Sequence, residues 1–132
     1  MPEGSISRRG MRILIVEDMT SIRRLVRNQL VSLGFTAIEE ARDGDEALQK
    51  LKIEKFSAII SDIHMPGMSG FQLLERVRTT PPHDKTPFIL LTSQSDKESV
   101  IRARDAGVSC YLAKPFTAEM LESRLVLVLG VK

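Results

Sequence analysis

Ala58-Ile59-Ile60-Ser61-Asp62-Ile63-His64-Met65-Pro66-Gly67-Met68-Ser69-Gly70 passes from an apolar run of strand length, through one carboxylate, into a Pro/Gly loop. A carboxylate at the tip of a buried strand costs free energy unless it has a partner. Three more apolar runs end in the same way. Ile13-Leu14-Ile15-Val16 ends in Glu17-Asp18, Phe88-Ile89-Leu90-Leu91 in Thr92, and Tyr111-Leu112-Ala113 in Lys114-Pro115. Four strands that each deliver polar chemistry at the C-terminal end describe one site.

Between these runs the spacing turns helical. Ile22, Leu25, Val26, Leu30 and Leu33 lie on one face of a helix that stops at Gly34. Residues 36–40 predict a short, weakly marked strand. Gly44 opens a second helix with Ala47, Leu48 and Leu51, and Phe71, Leu74 and Val77 mark a third. Residues 96–106 predict a fourth helix, ended by Gly107. Thr117 is a candidate N-cap for a fifth over 118–129. The continuous Ile13–Val16 run reads as a strand buried on both faces, as in a parallel sheet. Five strand–helix units with short loops predict an α/β fold, a doubly wound, five-stranded parallel sheet with five helices. Ligands of such sheets bind beyond the carboxyl ends of the strands, where the polar residues lie.

The chain has 132 residues, 42 % of them hydrophobic and 27 % charged, which is ordinary for one globular domain. Residues 1–10 are polar and Gly-containing and are expected to form a flexible N-terminal tail, leaving 11–132 as the domain. The net charge of +2 is too small to argue for nucleic-acid binding. Arg8, Arg9, Arg12, Arg23, Arg24 and Arg27 are expected to be a solvated surface. No apolar stretch reaches the ~18 residues of a membrane span, and no secretory h-region is present, so a cytoplasmic protein is expected. The single cysteine, Cys110, excludes an intrachain disulfide and reads as a small buried hydrophobe.

Glu17, Asp18 and Asp62 would crowd three negative charges at one sheet edge. At ~4 Å each like-charge pair costs about 4 kcal/mol at an effective dielectric of about 20. Either some carboxylates keep a proton or a cation joins them, and hard oxygen donors suit Mg²⁺. Lys114 supplies a cation for a phosphoryl group and Thr92 a hydroxyl donor. Singly, Asp62 could be a turn former, Thr92 a helix cap and Lys114 a surface lysine. Jointly, at successive strand ends, they point to phosphoryl chemistry with a carboxylate nucleophile.

Val16-Glu17-Asp18, Asp62-Ile63-His64-Met65-Pro66 with Gly70, Leu91-Thr92-Ser93 and Ala113-Lys114-Pro115-Phe116 together resemble the response-regulator receiver domain of two-component signalling, from about Met11 to the C-terminus. Ser21-Ile22-Arg23-Arg24-Leu25-Val26-Arg27-Asn28, Leu33-Gly34-Phe35 and Pro115-Phe116-Thr117-Ala118 are similar to the stand-alone, CheY-like type. The resemblance implies the flavodoxin-like strand order 2-1-3-4-5, for which such receivers are themselves a standard example. It implies that Asp62 accepts a phosphoryl group from a histidine kinase or phosphotransfer protein, or from a small phosphodonor. Asp18 and Asp62 would ligate Mg²⁺ directly, Glu17 through water, and His64 through its backbone carbonyl. Lys114 would pair with the phosphoryl group, while Thr92 and Tyr111 act as the switch. His64 and Gln94 would flank the hydrolytic water and tune the rate, with His64 at the rim of the site. The Lys114-Pro115 bond is expected to be cis. The fourth helix, fifth strand and fifth helix would form the output surface.

The chain is therefore expected to be a phosphorylation-activated switch, catalysing only its own phosphotransfer and dephosphorylation, with chemotaxis as the candidate process. The alternative is a receiver module of a longer regulator with a DNA-binding or enzymatic domain; the end of the chain just after the fifth helix favours the stand-alone form. A haloacid-dehalogenase-type phosphatase would need a second Asp two residues after Asp62, where His64 stands. Glu17-Asp18-Met19-Thr20 after the first strand fits neither a dinucleotide nor a P-loop fingerprint. In the last helix, Leu121, Leu125 and Val128 fit one stripe, but Val126, Leu127 and Leu129 cannot all join it. At least one should point outward, in a homodimer or partner contact, unless the helix frays near Leu127.

Overall fold

β-branched and aliphatic runs become strands where they can be covered on both faces, and the computed structural model covers three of them so. It describes residues 8–92, 101, 102, 104, 105 and 107–130. The strands are β1 (Arg12–Val16), β2 (Ala37–Ala41), β3 (Ala58–Asp62), β4 (Phe88–Thr92) and β5 (Cys110–Ala113). They form one parallel sheet in the order β2-β1-β3-β4-β5, as the resemblance implied. The helices are α1 (Thr20–Ser32), α2 (Gly44–Ile53), α3 (Gly70–Arg78) and, last in the chain, α4 (Ala118–Leu129). The expected helix over 96–106 falls partly outside the described residues, with helical backbone at Ile101, Arg102, Arg104 and Asp105.

Side chains alternate across the strands, so each strand feeds two cores. Leu14, Val16, Ile59 and Leu90 pack with Ala47 and Leu51 of α2 and with Leu73, Leu74 and Val77 of α3. Ile13, Ile15, Ile60, Ile89 and Leu91 pack on the other face with Val26 and Leu30 of α1 and Leu121 and Leu125 of α4. The weakly marked strand begins one residue later than its pattern predicted, at Ala37. It is an edge strand, and its half-buried side chains carry less of the apolar signal.

Helix starts are specified locally. Asp43 accepts from the Glu46 N–H at 2.8 Å to cap α2, and Ser69 and Gln72 form a reciprocal capping box on α3. Thr117 caps α4, accepting from the Met120 N–H at 3.1 Å, as its sequence position predicts. Gly70 has a different task. A Cβ there would collide with the Asp62 carbonyl and the Ile63 Cα, so only glycine lets α3 start hard against the end of β3.

Two expectations change in the structure. The arginines are not simply a solvated surface: Arg8 pairs with Glu122, Arg12 with Glu54, and Arg23 and Arg27 both with Glu40. Each meets an acid brought near by the sheet or a neighbouring helix, which composition does not reveal. In the segment expected as a tail, residues 1–7 lie outside the described residues, whereas Arg8–Gly10 form a 3₁₀ turn. Arg8 docks it, donating to the Leu33 carbonyl at 2.7 Å and lying over the Phe35 ring. α4 continues to Leu129 and is closed by Gly130 in the left-handed region, whose N–H reaches the Val126 carbonyl at 2.9 Å. It does not fray near Leu127, so Leu127 stands 71 % exposed while Leu121 and Leu125 are buried.

Candidate functional site

Parallel register brings the strand ends together. Val16 lies opposite Ser61, Asp62 opposite Leu91, and Thr92 opposite Ala113, so Glu17, Asp62, Thr92 and Lys114 emerge at one edge. Backbone bonds extend the ladders past the strand ends: Glu17 N–H to the Ala41 carbonyl (3.0 Å), Ile63 N–H to Leu91 (3.2 Å) and Lys114 N–H to Thr92 (2.6 Å). Glu17, Asp62 and Thr92 are buried, while Asp18 is open to solvent. The Lys114-Pro115 bond is cis, as expected, and Pro81-Pro82 is a second cis bond.

Lys114 Nζ stands 2.9 Å from Asp62 Oδ1 and 3.3 Å from Glu17 Oε1. Burial works against its charge, but the hydrogen bond and negative charge of Asp62, reinforced by Glu17, outweigh it and raise the Lys114 pKa. Glu17 responds in the opposite sense to its neighbours. Burial, then the charge of Asp62 and a hydrogen bond with Asp18, lift its pKa from 4.5 to about 7 against the opposing pull of Lys114 and the Met19 N–H. One ammonium does not balance three carboxylates.

One carboxylate oxygen from each of Glu17, Asp18 and Asp62 lies within 4.8 Å of the other two. Three hard oxygen donors, one of them held toward its neutral form by burial and by the charge of Asp62, fit a small divalent cation such as Mg²⁺. The arrangement can present the Asp62 carboxylate to an electrophilic phosphorus beside an ammonium and a hydroxyl.

Residues 13–126 match the response regulator receiver domain. The chain belongs to this family. The receiver is 40 % identical to chemotaxis protein CheY-3 of Vibrio cholerae over 121 residues, 92 % of this chain and 93 % of that protein. Its fold is similar to the crystal structure of V. cholerae CheY4, with a TM-score of 0.85 and 37 % identity over 90 % of this chain and 98 % of that one. It is also similar to the receiver domain of a sensor histidine kinase from Pseudomonas aeruginosa, with a TM-score of 0.83 and 28 % identity over 91 % and 98 % of the chains. That structure holds a magnesium ion in the active-site cleft.

The remaining expected residues of the receiver fall in three places. His64 is exposed, in a groove with Ser69, Phe71 and Arg102, whose guanidinium lies 4.5 Å from the centre of the Phe71 ring. Tyr111 stands 40 % exposed on β5, with its backbone carbonyl accepting from Arg124 Nε at 3.2 Å. Gln94 lies outside the described residues. Sequence reasoning missed Arg23, which reaches back from α1 to the Glu17 carbonyl at 2.8 Å. Its i, i+4 spacing to Arg27 was the only available signal, and it marks a shared helix face without naming an acceptor.

Proposed function

We propose that this receiver is a phosphorylation-activated switch with Asp62 as phosphoacceptor. The observation that carries the reading is the placement of Lys114 Nζ against both Asp62 and Glu17 at the mouth of a three-carboxylate cluster. An Asp62 oxygen attacks the phosphorus of a phosphohistidine on a kinase or phosphotransfer protein. The O–P bond forms as the P–N bond breaks, leaving an acyl phosphate and a histidine that takes up a proton. Lys114 balances charge on the phosphoryl oxygens, and the Thr92 hydroxyl donates to one of them. Tyr111 follows Thr92 and alters the neighbouring output face. Asp18, Asp62 and Glu17, with the His64 backbone carbonyl, would hold Mg²⁺, which when bound supplies compensating positive charge. The test is intact-mass measurement after treatment with acetyl phosphate and Mg²⁺. One phosphoryl group, labile to base and hydroxylamine, supports the reading; no uptake overturns it.

Asp18→Asn should weaken Mg²⁺ binding by at least about tenfold and leave the fold intact, since it removes a ligand and one of three crowded like charges. Calorimetric titration checks this, and parent-like affinity in the variant would put the metal elsewhere. Dephosphorylation is slow by this reading, because Gln94 lacks a carboxylate and the His64 imidazole crowds the water path. Gln94→Glu combined with His64→Asn should shorten the phosphoprotein half-life severalfold, roughly fivefold. An unchanged or longer half-life counts against both assignments.

The 40 % identity to chemotaxis protein CheY-3 supports a chemotaxis-type role for the chain, which on this reading works by protein contact. No described helix is long and apolar enough to cross a membrane. On the proposed output face, Leu127 and Tyr111 stand beside a cleft shared with Arg104, Val108 and Arg124, and Met120 is 41 % exposed on the same helix. Leu127→Glu should weaken association with an output partner or a second copy by about tenfold, through loss of an exposed apolar side chain that the contact would bury, and leave Asp62 labelling unchanged. Sedimentation and partner titration read this directly; identical behaviour of the two proteins removes Leu127 from the interface.

A further inference from the structure

Glu17 is the last residue hydrogen-bonded to β2, and beyond it the chain leaves the sheet through Asp18 and Met19. A carbonyl at such a strand end has lost its ladder partner and needs another donor. Arg23 supplies it: Nη1 donates to the Glu17 carbonyl at 2.8 Å, while Nε donates to Glu40 Oε1 at 2.8 Å. The Arg23 side chain is only 12 % exposed. Glu40 lies on β2 opposite Ile15 of β1, and its second oxygen accepts from Arg27 Nη1 at 2.7 Å. The guanidinium is thus held by Glu40 of the sheet and grips the main chain of the turn that carries two of the three clustered carboxylates. Arg27 touches Glu40 but makes no described bond to Glu17.

Resting on the metal-site reading above, we infer that Arg23, braced by Glu40, is a positioning residue that holds the Glu17–Asp18 turn in its cation-binding arrangement. It touches neither metal nor phosphoryl group and acts through the backbone of its neighbours. The charge of Arg23 makes the inference testable by sign. By Coulomb's law alone, removing a cation beside an acidic cluster strengthens binding of a divalent cation. Loss of a brace weakens it, because the ligands must then be ordered at the moment of binding.

The experiment is titration of the full chain with Mg²⁺ by calorimetry, with amide hydrogen exchange at residues 17–19 measured in the metal-free protein. Arg23→Gln should weaken Mg²⁺ about tenfold and speed exchange in the turn. Glu40→Gln should give a smaller loss in the same direction, and the double variant should be no weaker than Arg23→Gln alone, since the two act as one device. Arg23→Lys should lie between parent and Arg23→Gln, because an ammonium lacks the planar fork that serves both acceptors. Arg27→Gln, which alters the same charge patch without contacting Glu17, should stay within about twofold of the parent. Unchanged or tighter Mg²⁺ binding by Arg23→Gln overturns the inference, as does an equal loss in Arg27→Gln. Should Arg23→Gln fail to fold, Arg23→Lys and Glu40→Gln decide by the same criteria. A parent chain that binds no Mg²⁺ overturns the metal-site reading as well, whereas a parent that binds with an indifferent Arg23 overturns this inference alone.

Discussion

Asp62→Asn is expected to reduce phosphoryl uptake from acetyl phosphate by at least about three orders of magnitude, because a neutral amide oxygen is a far weaker nucleophile than the charged carboxylate. The substitution is nearly isosteric and takes a negative charge out of a crowded cluster, so the fold should persist. Lys114 loses its 2.9 Å partner but keeps Glu17 at 3.3 Å. Asp62 is buried, so a change of side-chain size there would disturb its packing. Asn is therefore the informative variant, and Ala would add a packing defect. Intact-mass spectrometry over a time course, with hydroxylamine treatment of the product, separates the outcomes. An adduct forming on the variant at the parent's rate would sink the assignment, and one forming slowly elsewhere would identify a secondary acceptor.

The strands and the edge on which the site sits were legible because buried parallel strands leave continuous apolar runs, and those runs stop at polar residues. Asp62, Thr92 and Lys114 meet for that reason alone: a one-to-one parallel register carries strand ends into the same plane. What remained hidden depends on reach and depth. Neighbours in sequence, Glu17 and Asp18 differ in exposure, Glu17 fully buried and Asp18 reachable by solvent, because the chain turns out of the sheet between them. Arg23 and Glu40 each look like surface charges in a pattern of charges. Only the docking of α1 beside β2 makes them a clamp, and periodicity does not encode where a long side chain ends. The last helix shows the same limit: its pattern required an outward apolar residue but could not separate a frayed end from an exposed Leu127, which is settled by the left-handed Gly130 that closes the helix.

Metal-free protein should lose stability as pH rises through neutrality, the reverse of a carboxylate whose pKa is depressed on folding. Glu17 has its folded pKa raised from 4.5 to about 7, by burial first and by Asp62 second. Between these values the folded state binds more protons than the unfolded state, so unfolding free energy falls with increasing pH. The contribution is intact below about pH 4.5 and is lost as pH passes 7, amounting to on the order of 3 kcal/mol. For a domain of this size that corresponds to a fall in Tm of roughly 10 °C. Glu17→Gln carries no titrating proton, so in chelator-treated samples it should match the parent near pH 5 and exceed it near pH 8. Mg²⁺ added at pH 8 should restore the parent more than the variant, because a cation favours the charged form that burial penalises. Parallel Tm profiles for parent and Glu17→Gln across pH 5 to 8 without metal would show that Glu17 is already ionised in the folded state, and the crowding of three carboxylates around one lysine would then cost nothing that a cation relieves.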